Sequence, residues 1–195
     1  MMSFIGIPIG FYGYVFPGNI NLMVVELYSS NRFKFLFFTL GLILLFETFY
    51  CIVSLLLLNT LKFNTGIYNT IELASYIMVL LMGLWMLFEN TKDQQKSKKN
   101  TVYRGLLSIV FHPQQIPFWV VMGVLVNKLV PFSTNQQALY QFAFFNAVGT
   151  FLAMLFYMVF GSKLFNYLKL NILQINKIMG SAYMILALYG LFTNK

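Results

Sequence analysis

Charged residues are scarce in this chain, and acidic residues are the scarcest. Only 9% of the 195 residues are charged, with 13 Lys and Arg against 5 Asp and Glu. Soluble domains carry about a quarter charged residues, so this deficit excludes an ordinary soluble domain. Because 59% of the residues are hydrophobic, most of the chain is expected to face lipid or other apolar segments. The composition predicts an all-α, polytopic membrane protein.

Cysteine, histidine and nucleotide-binding motifs are nearly absent as well. The single cysteine, Cys51, lies in an apolar run, cannot form an internal disulfide, and is predicted to pack. One histidine, one distant cysteine and no clustered carboxylates make a poor metal-ligand set, so neither metal nor other cofactor is expected. No G-x-x-x-x-G-K-[ST] loop and no recognisable Ser, His and carboxylate spacing occur, so the chain is not expected to be an enzyme.

Six apolar runs are each long enough to cross about 30 Å of hydrocarbon. The N-terminus lacks both a basic region and a small-x-small cleavage site, so the first run is expected to be a retained span. Together the runs predict one transmembrane domain over residues 1–195, in which a polar linker, 90–101, joins residues 1–89 to residues 102–195. The predicted spans are 4–28, 35–58, 68–88, 102–127, 139–160 and 175–192.

Lys and Arg collect in alternate connections, ten on one side and three on the other. By the positive-inside rule the richer side is cytoplasmic, which places both termini outside a cytoplasmic (inner) membrane. The net charge of +8 is therefore read as a topology signal, and no nucleic acid partner is expected. The ten are Arg32, Lys34, Lys92, Lys96, Lys98, Lys99, Arg104, Lys163, Lys169 and Lys177, and the three are Lys62, Lys128 and Lys195.

Two of the runs contain helix-breaking motifs. Pro17-Gly18, beside Asn19 and Asn21, interrupts the first span, and His112-Pro113-Gln114 interrupts the fourth. Proline removes a backbone donor and clashes with the preceding turn, so carbonyls and amides are freed in mid-segment. At membrane depth such backbone survives only where protein buries it or it lines a polar cavity. Paired breaks in two halves are typical of a transporter site.

The two halves align weakly. Pro17 and Pro113 are 96 residues apart (113 − 17), Gly41 and Gly149 are 108 apart (149 − 41), and Gly83 and Gly190 are 107 apart (190 − 83). An insertion of about a dozen residues between the fourth and fifth spans reconciles these offsets. Three spans per half is an odd number, so the sequence predicts two inverted three-helix repeats.

In these features the chain resembles the lysine exporter (LysE) family of small bacterial amino acid exporters. Pro17-Gly18-Asn19 is similar to the family's G-x-x-x-G-x-x-P-G-P pattern, with asparagine in place of the second proline. The segment from Gly105 to Gln114 resembles its G-x-x-x-x-x-x-N-P-K pattern, with His112 and Gln114 substituted. The run 76–86 around Gly83, echoed by 180–190, resembles the family's glycine-flanked helices. The resemblance covers almost the whole chain.

The resemblance implies export of amino acids or related small metabolites across the cytoplasmic membrane, driven by a proton or other ion gradient. The expected partners are a small-molecule amino acid substrate and the lipid bilayer, and self-association into a homo-oligomer is left open. Two alternatives remain. One is efflux of a divalent cation such as cadmium, which a few relatives are thought to perform, and the other is a non-transporting membrane scaffold.

Glu47 is the sharpest candidate for a site residue, because it lies midway along the second span. An ionised carboxylate is costly at that depth, and intramembrane ionisable groups mark substrate paths and proton relays. The alternative is a protonated acid that donates one hydrogen bond to a neighbouring helix. Glu26 and Glu72 lie nearer the ends of their spans, where each could reach interfacial water; Glu26 could also belong to an inner vestibule.

The remaining candidates are polar groups at or near the breaks. His112 could cap groups freed by Pro113, contact substrate or, less favourably, transfer a proton. Freed amides could bind a carboxylate and freed carbonyls an ammonium, the two ends of an amino acid. Trp119 could wall a cavity or pack against lipid. The predicted substrate-binding residues are Pro17, Gly18, Asn19, Asn21, Glu47, His112, Pro113, Gln114 and Asn146. Gln115 is a further polar residue in mid-span.

Overall fold

A computed structural model describes residues 2–15, 19–61, 65–88, 101–110, 115–127, 136–168 and 172–193. These segments are helical, and no strand occurs within them. A 3-10 turn, Met2–Ile5, precedes eight α-helices. The helices are α1 (Gly6–Val15), α2 (Asn19–Ser29), α3 (Phe33–Leu61), α4 (Thr65–Phe88), α5 (Thr101–Val110), α6 (Gln115–Asn127), α7 (Gln136–Leu168) and α8 (Ile172–Thr193).

Three of the helices are long and apolar enough to cross a bilayer, through Phe33–Thr60 in α3, Gly66–Phe88 in α4 and Gln136–Gly161 in α7. In contrast, α1, α2, α5 and α6 have 10 to 13 residues each. At 1.5 Å per residue each is about 15–20 Å long, which is too short to cross alone. Pro8 of α1 and Pro117 of α6 lie in the first turn of their helices. Backbone N–H groups have no helical acceptor in this turn, so proline removes no helical hydrogen bond there.

Large apolar side chains cover the outside of the helices. Trp85 is 72% exposed and Phe88 80% exposed, and Phe37, Ile185 and Phe192 also point outward. A soluble monomer rarely exposes so much contiguous apolar surface, because its hydration is unfavourable. The distribution is that of a membrane protein, which agrees with the class predicted from composition.

The turn between α2 and α3 closes through a left-handed residue. The N–H of Arg32 donates to the Leu27 carbonyl at 3.0 Å and that of Asn31 to the Tyr28 carbonyl at 3.1 Å. This pair of bonds is the Schellman pattern, which needs a residue with positive φ just beyond the helix. Asn31 fills that position with φ of 56°. The chain therefore reverses within three residues and starts α3 beside α2.

Two backbone-to-backbone crossings hold distant parts of the chain together. In the first, α1 lies against α7, and a Cβ added to Gly10 or Gly149 would meet the main chain of the other helix. In the second, α4 lies against α8, and a Cβ on Gly83 would come within 2.7 Å of the Gly180 carbonyl oxygen. Gly41, paired with Gly149 by the repeat alignment, differs, since no heavy atom lies within 4 Å of its Cβ position.

The long helix α3 packs against α6 and α7 between these crossings, and α2 packs against α5 and α7. Cys51 is fully buried in the apolar cluster that α3 forms with α6 and α7, around Trp119 and Phe142. The prediction that Cys51 packs is confirmed. This cluster lies beside the most polar part of the protein interior.

Candidate functional site around Glu47

Glu47 lies at the midpoint of α3, since (33 + 61)/2 = 47. Its side chain is 3% exposed, so the carboxyl is inside the helix bundle and not in contact with lipid. The Tyr14 hydroxyl, near the end of α1, donates to Glu47 Oε2 over 2.7 Å. The side chains of Asn146, Gln115 and Trp119 also interact with the Glu47 carboxyl.

The first turns of α6 supply the next polar groups. Gln115 begins this helix and its Nε2 donates to Tyr14 Oη at 3.3 Å. One turn later, the indole N–H of Trp119 donates to Gln115 Oε1 at 2.9 Å. Trp119 is 1% exposed and packs edge-on against the Phe118 and Phe142 rings. It therefore neither faces lipid nor acts as an apolar wall alone, because its polar edge belongs to the site.

Asn146 comes to the site on α7. Its side chain is fully buried and interacts electrostatically with the Glu47 carboxyl. Yet neither Nδ2 nor Oδ1 has a hydrogen-bond partner of acceptable geometry among the described residues. The close crossing of α1 and α7 fixes this position, because Gly6 and Gly10 lie directly against Asn146. A buried amide left without partners costs about 1–3 kcal/mol, so a ligand, an ion or an ordered water is its usual partner.

Asn21 links the site to α2. Its Nδ2 donates to the Tyr14 main-chain oxygen at 2.7 Å, and its side chain also interacts with Tyr157 of α7. The bond satisfies a carbonyl at the end of α1, where the helix no longer provides a donor. Asn21 therefore supports Tyr14, while Tyr14 itself contacts the carboxyl.

Other predicted site residues fall on parts of the chain that are not described. Pro17, Gly18, His112, Pro113 and Gln114 lie outside the described residues. Asn19 begins α2, but its side chain is outside the description as well. Of the nine predicted residues, the structure thus brings together Glu47, Asn146 and Asn21.

Positive charge is confined to the ends of the helices among the basic side chains that the structure describes. Arg32, Lys34, Lys163 and Lys177 are all exposed. The titratable groups that interact with Glu47 are instead Tyr14 on α1, Cys51 one turn along α3 and Tyr183 on α8. No basic side chain in the described segments therefore neutralises Glu47.

The two other membrane carboxylates differ from each other. Glu26 is exposed near the end of α2, as expected for a residue that reaches the interface. For Glu72 the sequence left an interfacial and a functional role open. Glu72 is buried at 3% exposure and accepts a hydrogen bond of 3.3 Å from Tyr76 Oη. Its hydrogen-bond partner Tyr76 is in turn packed against Gly190 of α8.

The Glu47 carboxyl of α3, the Asn146 amide of α7 and the Gln115 and Trp119 side chains in the first turns of α6 lie close together. A search of the described residues finds no group of three or more His, Cys, Asp or Glu that could hold a metal ion.

Sequence reasoning did not single out Tyr14 as a site residue. The chain contains 12 Tyr and 22 Phe, so one aromatic position in an apolar run carries little information. Two features of the sequence point to Tyr14 as a site residue. It lies three residues before Pro17, and its hydroxyl requires a partner once it is buried in a membrane protein.

Comparison of the chain with protein-family models, with curated proteins and with solved structures finds no match. The resemblance to the lysine exporter family therefore stays a prediction carried by the short motifs at Pro17-Gly18 and His112-Pro113.

Proposed function

We propose that this protein is a secondary transporter that exports amino acids or related small metabolites across the cytoplasmic membrane, coupled to protons or another ion. The observation that carries the proposal is that Glu47 and Asn146 lie beside each other. Both side chains are buried, the Asn146 amide has no hydrogen bond of acceptable geometry among the described residues, and Glu47 is halfway along a helix long enough to span the bilayer.

The depth of Glu47 supports a transport role. A carboxylate at the bilayer centre costs about 2.5–3.5 kcal/mol on insertion scales, and residues retained at that cost usually face a substrate or ion path. In this proposal a substrate ammonium binds the Glu47 carboxylate, neutralises its charge and so removes the cost.

The other end of an amino acid has partners on the opposite wall. The N–H groups in the first turn of α6 have no helical acceptor, and a helix N-terminus favours an anion. Gln115 ties this turn to Tyr14, and Asn146 Nδ2 adds a free donor on α7. An α-carboxylate can therefore bind between α6 and α7 while its ammonium binds Glu47.

Six spans in two inverted repeats provide the architecture for alternating access. In this proposal α1 with α2 forms the first span and α5 with α6 the fourth, each broken at its proline motif. The packing of α4 on α8 and of α3 on α7 supports the repeat, because a two-fold relation pairs the third span with the sixth and the second with the fifth. The two halves would rock around the Glu47 site.

The exposed basic residues support cytoplasmic placement of the α2–α3 turn, with both termini outside. Arg32 and Lys34 flank this turn, and Lys163 lies near the end of α7. Gly161 packs against Val25, so the ends of α2 and α7 lie on the same side of the bundle. By the positive-inside rule that side is cytoplasmic.

Efflux from proteoliposomes tests the proposal. Vesicles preloaded with labelled Lys, Arg, Thr, Leu or cadmium ion are followed with and without an imposed pH gradient. Gradient-dependent loss of an amino acid, abolished by Glu47→Gln and retained by the exposed-carboxyl control Glu26→Gln, is the expected result. Loss of cadmium alone refutes amino acid export in favour of cation efflux. Silence for every solute with verified insertion refutes export of these amino acids and favours an untested solute or the scaffold.

A further inference from the structure

The hydrogen bonds that lead to Glu47 have a fixed direction. An indole N–H can only donate, so Trp119 requires an acceptor, and Gln115 Oε1 accepts its bond at 2.9 Å. This fixes the orientation of the amide and turns Gln115 Nε2 toward Tyr14 Oη, 3.3 Å away. With that bond accepted, the hydroxyl proton of Tyr14 points to Glu47 Oε2 at 2.7 Å.

This directed chain joins three separate helices at one depth. Trp119 and Gln115 are one turn apart on α6, Tyr14 is on α1 and Glu47 is on α3. Because α1 is in turn locked to α7 at Gly10 and Gly149, the position of the Tyr14 hydroxyl is set by the bundle as a whole.

We propose that Trp119 and Gln115 are positioning residues for the Glu47 carboxyl. They hold the Tyr14 hydroxyl as a donor to Oε2 and so fix the orientation of the carboxyl that receives the ammonium group or proton the protein carries. The role in transport rests on the proposed function, whereas the hydrogen-bond chain itself is testable without any transport measurement.

The hydrogen bonds from Trp119 to Glu47 depend on whether the Glu47 carboxyl is charged. When Oε2 takes a proton, the carboxyl must donate, and Tyr14 Oη then receives bonds from both Glu47 and Gln115. The hydroxyl proton of Tyr14 then needs a new acceptor, and the candidate is Asn146 Oδ1, an atom without a partner of acceptable geometry among the described residues, on a side chain that interacts with Glu47. Protonation of Glu47 therefore changes the hydrogen bond made at Gln115 and, through it, the environment of Trp119.

Few other groups can produce such a response. Among the described residues, the titratable side chains that interact with Glu47 are Tyr14 on α1, Cys51 on α3 and Tyr183 on α8. The neighbouring helices α6 and α7 contribute uncharged side chains to it, those of Gln115, Trp119 and Asn146. The Tyr183→Phe and Glu72→Gln variants show whether titration of Tyr183 or Glu72, and not of Glu47, causes the fluorescence change.

The tryptophan content of the chain provides the probe. There are two tryptophans, and Trp85 lies on the outer face of α4. The Trp85→Phe protein therefore emits through Trp119 alone. In detergent, its emission is recorded from mildly acidic to mildly alkaline pH, and a single-step change is expected. The change should be lost in the Trp85→Phe background by Glu47→Gln, by Tyr14→Phe and by Gln115→Leu, and kept by Tyr183→Phe and Glu72→Gln.

The outcomes separate this inference from the proposed function. A flat titration of the Trp85→Phe protein, or a change that survives Tyr14→Phe, overturns the directed chain whatever the protein transports. If the fluorescence variants behave as expected but the protein transports none of the tested solutes, the hydrogen-bond chain stands and export of those solutes is refuted. Size-exclusion profiles identify any variant that fails to fold, and three independent variants interrupt the chain, so one failure does not remove the test.

A transport readout adds the functional side. Trp119→Phe keeps an aromatic ring in the cluster with Phe142 and removes the indole N–H together with part of the ring volume. A several-fold rise in KM with kcat little changed is expected for the carried solute, because a neutral hydrogen bond is worth a factor of this size. The matched Trp85→Phe protein should keep the parent KM. Equal kinetics for the two variants overturns the positioning role.

Discussion

Alanine at Gly149 should destabilise the protein, and alanine at Gly41 should not. Both glycines lie within long helices, α7 and α3, so the gain in helix propensity, about 1 kcal/mol, is shared by the two variants and cancels in their difference. At Gly149 the new carbon would lie on the Ile7 carbonyl oxygen and 2.9 Å from the Phe11 nitrogen. At Gly41 no heavy atom lies within 4 Å.

The expected difference is the cost of overpacking a tight crossing, about 1–3 kcal/mol. The crossing cannot open easily at one point, since Gly6 and Gly10 bring the same two helices equally close on the adjacent turn. For a protein of this length about 2 kcal/mol corresponds to roughly 4–8 °C in melting temperature.

Heating in detergent followed by fluorescence-detected size exclusion measures the two midpoints under identical conditions. Gly149→Ala should melt below Gly41→Ala by that interval, with equal expression in the membrane fraction as the control for insertion. Equal midpoints would show that α1 and α7 are not in backbone contact, and the placement of Asn146 beside Glu47 would lose its structural basis.

Other substitutions test separate parts of the fold. Asn31→Val should cost about 1–2 kcal/mol because the residue is left-handed, while Asn31→Gly should not, and equal melting temperatures would contradict the turn. Cys51, fully buried, should resist maleimide in the folded protein and react after denaturation in SDS; labelling of the folded protein would contradict its packing. A double-mutant cycle of Tyr76→Phe with Glu72→Gln should give a coupling of about 0.5–1.5 kcal/mol, and additive losses would exclude their hydrogen bond.

The sequence predicted the long helices well because length and apolarity alone determine them. Predicted spans 35–58, 68–88 and 139–160 correspond to α3, α4 and α7, and the helices extend past them, by eight residues at the end of α7. The extension contains Lys163 and other polar residues that a hydropathy criterion excludes, although a helix can continue beyond the hydrocarbon region into the interface.

The site was predictable only in part. Glu47 stood out as an isolated carboxylate in an apolar run, and Asn146 as a rare polar residue in another. Their proximity depends on how α7 packs against α1 and α3, which periodicity does not encode in helices that are apolar on nearly every face. The same limit explains Glu72, since its burial depends on which helices pack against the start of α4 and not on the local sequence.

The close contact of α1 with α7 also sets an order of events during synthesis. Gly10 and Gly149 are 139 residues apart (149 − 10), so at about 5–20 residues per second the ribosome needs roughly 7–28 s to supply the second partner. Throughout that interval the short helix α1, with its flat glycine face and the Tyr14 hydroxyl, has no α7 to cover it. The nascent chain must keep this segment in a provisional environment, in the translocon or against lipid, until the fifth apolar run emerges.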